Sequence, residues 1–198
     1  MTALNDIVPF RAPRRRSDTN SFVGMLIFLG TWAMMFGALF FAYAEVRLKN
    51  AEWPPSGEAP LPIALPLLNT IVLMLASVAL GFALKAVRTA HPGGLRLGLF
   101  GALVFGSLFL ALQMVVWRSI YLGGLKPSTD IYGSVFYGLT CFHALHVLVG
   151  LGGIISLLPG ALSGKFNVQR HASVRHWVMY WHFVDVVWVL MFVTVYVL

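Results

Sequence analysis

The chain has 198 residues, of which 59% are hydrophobic and only 11% charged, with a formal net charge of +7. Water-soluble domains carry about a quarter charged residues, so the composition excludes an ordinary soluble globule and, with it, the nucleic-acid binding that a basic chain otherwise suggests. Apolar runs of about 20 residues, enough to cross a hydrocarbon core roughly 30 Å thick, instead define a polytopic integral membrane protein.

In chain order, residues 1–20 form a basic tail that includes "FRAPRRRSDTN". The apolar run that follows, Phe22–Ala44, is too long for a signal-peptide core and lacks a small-residue cleavage pattern, which predicts a first span that is retained. The turn-rich "EWPPSGEAPLP" leads to a second span, Leu65–Leu84, and "HPGG" to a third, Leu95–Trp117. After "LGGLKPSTD" comes Tyr132–Leu158, and after "PGALSGKFNVQRHASVR" the last span, Val174–Val197. Backbone groups in lipid need partners within their own segment, and without barrel-like alternation the spans must be helices. The predicted fold is therefore all-α, a single five-helix transmembrane domain over residues 21–198, with no internal repeat.

Lysine and arginine set its orientation. Arg11, Arg14, Arg15, Arg16, Lys85, Arg88, Arg96, Lys165, Arg170 and Arg175 fall on one side; Arg47, Lys49, Arg118 and Lys126 fall on the other. This asymmetry puts the N-terminus in the cytoplasm and the C-terminus outside. The single cysteine, Cys141, lies within a span, which rules out an intrachain disulfide and a paired-thiol metal site. Small residues at Gly98, Ala102 and Gly106, and again at Ala33 and Gly37, recur every four positions and predict close helix packing within the chain or against a partner. Asn69, Thr70 and Gln113 read as hydrogen bonds between helices.

The chemistry-bearing residues lie in the last two spans. Of seven acidic residues only Asp185 falls inside a predicted span, and an aspartate at the centre of an inserting helix costs about 2.5–3.5 kcal/mol. His182 sits three positions earlier, on the same helical face. His143 and His146 repeat that spacing in "TCFHALHVLVG", where Leu139, His143, His146, Gly150 and Gly153 make one stripe. The two stripes are expected to face each other or a shared hydrated crevice. Three readings stay open: a satisfied polar cluster that pins the last two helices, a proton-handling site, and a haem or metal site. No Cys-x-x-Cys-His motif accompanies the third. A stand-alone proton-coupled transporter or channel built on an Asp–His relay is the rival from another class.

"TDIYGSVFYGLTCFHALHVLVG", followed by "YWHFVDVVWVLMFVTVY", resembles subunit III of haem–copper terminal oxidases, as do, in order, "GMLIFLGTWAMMFGALFFAYAEVR", "WPP" and "LLNTIVLMLAS". Five spans resemble the short bacterial form of that family. The resemblance implies an accessory subunit of a respiratory complex that reduces oxygen to water and moves protons. The complex would use cytochrome c or quinol and sit in the bacterial inner (cytoplasmic) membrane. It implies no haem or copper in this chain, both residing in the catalytic subunit I, and it implies subunit II as a further partner, structural phospholipid, and membership of a larger respiratory supercomplex as an option. His143, His146, His182 and Asp185 match the family's polar positions, here candidates for proton support; Arg47 and Trp53 match its WPP loop and the arginine before it. Arg47, Trp53, Arg170 and Arg175 are the lipid-contact candidates. The chain departs from the family where Thr31 and Trp32 stand in place of a Ser-Glu pattern, where Val116 replaces a glutamate, and where Cys141 and Ala144 replace glycines. These departures keep a nitric-oxide-reductase accessory subunit as a further alternative.

Overall fold

The computed structural model describes residues 14–50, 63–127 and 131–197, with side chains from residue 19 onward. Its elements are α1 (Arg14–Lys49), α2 (Ala64–Arg88), α3 (Pro92–Leu122), α4 (Ile131–Leu162) and α5 (Ala172–Phe192), the last continued by a π-helical turn, Val193–Val197. All five helices are long and apolar enough to cross a membrane. Among the described residues the only β-type pairing is a single bridge, Asn167 with Arg170, in the turn between α4 and α5.

The helices overrun the apolar runs that announced them. The first begins at Arg14, within the tail predicted to lie outside it, and runs to Lys49; the third extends from Pro92 to Leu122. Hydropathy marks the lipid-facing length, whereas backbone hydrogen bonding continues through polar residues until a breaker stops it. Asp18 and Glu45 thereby also fall within α1, near its two ends, and Glu45 is paired at 2.7 Å with Lys49. Asp185 is the acidic residue far from a helix end.

Not every expected breaker ends a helix: Pro159, read as the start of the last linker, lies inside α4, which runs on to Leu162, and Pro92, Gly93 and Gly94 of the "HPGG" linker already belong to α3. The α2–α3 turn sets Ala90 in the left-handed region at φ 57°, and Pro92 then opens α3 at a position where a missing N–H costs nothing. Arg96 reaches back from α3 to the end of α4, donating from Nε to Ala161 O and from Nη2 to Leu162 O, both at 3.2 Å. It thus satisfies carbonyls that the helix end leaves unpaired.

The closest helix pair is α2–α3; α5 packs on α2 and α4, while α1 lies along the edge of the bundle against α4 and α5. Small residues explain the tightest approaches. A Cβ built on Gly98 would meet Ala79 O at 2.6 Å and the Ala83 Cβ at 2.7 Å, so the seam Gly98–Ala102–Gly106, wholly buried, is used inside the chain. The Ala33–Gly37 pair is not: both residues are exposed and Gly37 has no atom within 4 Å of its missing Cβ. Gly98→Val is expected to destabilise the fold by about 1–3 kcal/mol through overpacking, while Gly152→Ala, where nothing lies within 4 Å, leaves thermal unfolding in detergent unchanged or slightly improved.

Candidate functional site

The buried stripe of α4 is the centre of the structure. Leu139, His143, His146, Gly150 and Gly153 are all buried, and the two glycines receive aromatic rings from α5. Trp181 packs on Gly150 and Gly106, and Trp177 packs on Gly153. The Tyr180 hydroxyl donates to the His146 carbonyl at 3.1 Å. The stripe therefore does face α5, as its pattern predicts.

The polar side chains of the two helices do not meet, however. His143 is enclosed by aromatic rings, with Trp188 at 5.0 Å and Phe109 at 6.0 Å between centroids. Among the described residues neither of its ring nitrogens has a hydrogen-bond partner. His146 donates from Nδ1 to Phe142 O at 2.7 Å, and Trp32, Phe36 and Phe142 surround its ring at 4.2, 5.0 and 5.4 Å. On α5, His182 turns instead toward α2, its Nδ1 lying 2.6 Å from Ser77 Oγ and 3.8 Å from Asp185 Oδ2. The Asp185 carboxylate is buried, whereas the His182 side chain is 48% exposed. The expected shared crevice thus resolves into two separate pairs, because large aromatic side chains fill the space between α4 and α5.

That division decides what the residues can hold. Among the described residues no group of three His, Cys, Asp or Glu side chains comes together to bind a metal ion. His146 and His182 belong to different pairs on different faces, and aromatic rings cover both α4 imidazoles, so the four side chains do not fit a haem or metal centre. A further set of polar residues joins the helices at the other half of the bundle. Asn69 Nδ2 donates to Gln113 Oε1 at 3.0 Å, Trp188 Nε1 to Thr70 Oγ1 at 2.9 Å, and Trp117 Nε1 to Thr140 Oγ1 at 3.0 Å. The first of these was legible in the sequence as polar residues on apolar helices; the tryptophan donors were not, since aromatic residues in a span read equally well as lipid-facing.

The lipid-contact candidates separate by position. Arg47 donates to Thr194 O at 3.3 Å, beside Tyr43 at 2.9 Å, and lines an apolar groove of about 500 Å³ with Phe40, Leu48 and Leu190. Arg175 lies over the Phe22 ring at 5.2 Å, next to a groove of about 410 Å³ bounded by Met25, Phe28, Val149 and Trp177. Arg170 is exposed in the α4–α5 turn. Trp53 lies outside the described residues. The positions that depart from the oxidase pattern are also placed: Trp32 packs against His146, Val116 and Ala144 are buried in the bundle, and Cys141 is exposed.

Five helices long and apolar enough to cross a membrane, with polar side chains buried among them, define the class as a multi-pass membrane protein. Comparison with known proteins gives the family. Residues 18–198 match the family model for cytochrome c oxidase subunit III. The cytochrome c oxidase subunit 3 of Thermostichus vulcanus is 34% identical over 178 residues, covering 89% of this chain and 86% of that protein. That of Synechocystis sp. is 36% identical over 176 residues, covering 88% and 74%, and that of Locusta migratoria 31% over 180 residues, covering 87% and 67%. The chain belongs to the cytochrome c oxidase subunit III family, and its general role is that of an oxidase accessory subunit within the respiratory chain.

The Trp188–Thr70 bond is testable by a double-mutant cycle. Trp188→Phe and Thr70→Val are each expected to cost about 0.5–1.5 kcal/mol in thermal unfolding, and the double variant should cost little more than either alone, because both remove the same bond.

Proposed function

We propose that this chain is the non-redox subunit III of a bacterial respiratory haem–copper oxidase that reduces oxygen to water and pumps protons. It packs beside the catalytic subunit I and subunit II in the inner membrane, N-terminus in the cytoplasm, and supports assembly, lipid binding and proton uptake. The observation that carries this reading is the family match over nearly the whole chain. The charge asymmetry supports the orientation, and the separation of the polar residues into two pairs supports placing haem and copper in the partner. The same match speaks against the transporter and nitric-oxide-reductase alternatives.

The groove lined by Arg47, and a second lined by His176 next to Arg175 in the chain, support lipid binding. α1 and α5 run in the same direction, with Ser21 near His176 at one end and Tyr43 at Thr194 at the other, and a groove lies at each end. A phospholipid phosphate suits a guanidinium at the mouth, and acyl chains suit the apolar walls. Arg47→Ala should therefore lower the phospholipid retained by the purified complex in native mass spectrometry, with subunit composition unchanged.

Proton support rests on His182 and Asp185, since the position on α1 where the family carries a carboxylate is Trp32. Asp185→Asn keeps the size and polarity of the side chain, and Asp185→Leu keeps only the size. If the pair anchors packing, the first variant retains both turnover and subunit III, and the second loses subunit III from the complex. If it handles protons, Asp185→Asn lowers oxygen consumption while the complex stays intact. The chain is expected to co-purify with a large haem-bearing partner and to show no Soret absorption when separated from it; a stoichiometric haem on this chain would overturn the non-redox assignment.

A further inference from the structure

His182 is a feature of α5 that the chain's own packing leaves unexplained. It lies near the middle of the 26-residue span Ala172–Val197, where acyl chains offer no hydrogen bond, yet its side chain is 48% exposed. Ser77 holds Nδ1 at 2.6 Å, which leaves Nε2 as the free edge of the ring. A polar group left without a partner away from water is unfavourable, and a lipid-facing imidazole at this depth stands in the same position.

A second observation concerns α2. Ser77 and Gly81 are spaced four apart on one face, the arrangement that lets two membrane helices approach closely. Among the described residues nothing lies within 4 Å of the Cβ position of Gly81, so the close approach it permits is not used by them. This contrasts with Gly98, Gly106, Gly150 and Gly153, each filled by a neighbouring residue. Other open glycines exist at Gly24, Gly30, Gly37, Gly93, Gly138 and Gly152, but the polar side chains next to Gly24 and Gly30, Ser21 and Thr31, already bond to His176 and to the Ile27 carbonyl, whereas His182 keeps a free ring edge. At the α2–α5 seam the two features coincide.

Resting on the subunit III assignment, we infer that the α2–α5 seam around Ser77, Gly81 and His182 docks a transmembrane helix of another oxidase subunit. That helix packs closely over Gly81 and places a hydrogen-bonding side chain opposite His182 Nε2. The partner is a protein helix and not a lipid, because the patch combines a small-residue approach with a polar group that hydrocarbon cannot satisfy. Val78 and Val186, 69% and 59% exposed, flank the patch and lie at its contact rim.

The test uses the whole complex in native membranes. A photo-crosslinking amino acid is placed at Val186, at Val78 and, as a control on a different helix, at Val104, which is 63% exposed. The expected result is a covalent adduct with another oxidase subunit from positions 186 and 78 and only lipid adducts from 104. Lipid adducts alone from 186 and 78, in a complex that still contains this chain, would overturn the docking inference and leave the subunit III reading standing. Failure of the chain to co-purify with any haem-bearing complex would overturn both. Retention supplies an independent arm: Gly81→Leu should reduce the chain's co-purification at least several-fold, and His182→Gln, which keeps a hydrogen-bonding end, should reduce it less than His182→Leu. Equal retention of all three variants would count against the seam.

Discussion

The bundle depends on the interlock between α4 and α5. Gly150 and Gly153 remove side chains from one helix where Trp181 and Trp177 insert from the other. In lipid the hydrophobic effect gives helices no net reason to associate, and close van der Waals packing has to supply it. Aromatic rings seated on glycines maximise that contact. The same rings fix the fate of the polar residues, since indoles and phenyl groups occupy the volume in which the two histidine-bearing faces would otherwise meet.

The consequence for function is a division of labour along α5. One face, through Trp177, Tyr180, Trp181 and Trp188, holds α4 and α3; another, through His182 and Asp185, turns to α2; and the π-helical turn at its end offers the Thr194 carbonyl to Tyr43 and Arg47 of α1. A π turn shifts the backbone register by one residue and commonly marks functional positions. Here it redirects a carbonyl that fastens an otherwise loosely held helix.

Much of this was legible in the sequence. Five apolar runs, their breakers and the charge asymmetry sufficed for element number, order and type, because hydropathy over 20 residues is a strong signal. The buried stripe of α4 followed from its spacing, and Asn69, Thr70 and Gln113 were recognisable as interhelical bonds. The direction in which His182 points was not legible. Its spacing places it on the face of Asp185 but cannot say that α2 offers Ser77 there, since helix neighbours are set by three-dimensional packing. Nor could Trp32 be placed: as a sequence feature it is a missing carboxylate, and only the fold shows it covering His146. A carboxylate at that position would stand beside an imidazole; the indole instead seals it.

The position of α1 bears on how the chain is made. It is synthesised before the other four described helices, whereas the helices it rests on, α4 and α5, come after α2 and α3. At about 5–20 residues per second, roughly 8–30 s separate the emergence of Tyr43 from that of Thr194. Until α4 emerges the first helix has neither of its eventual neighbours, and until α5 follows it lacks the one that holds Tyr43 and Arg47, so an insertase or chaperone has a long window in which to hold it. Newly made chain halted before its final turn would be recognisable by an α1 still open to such a holder.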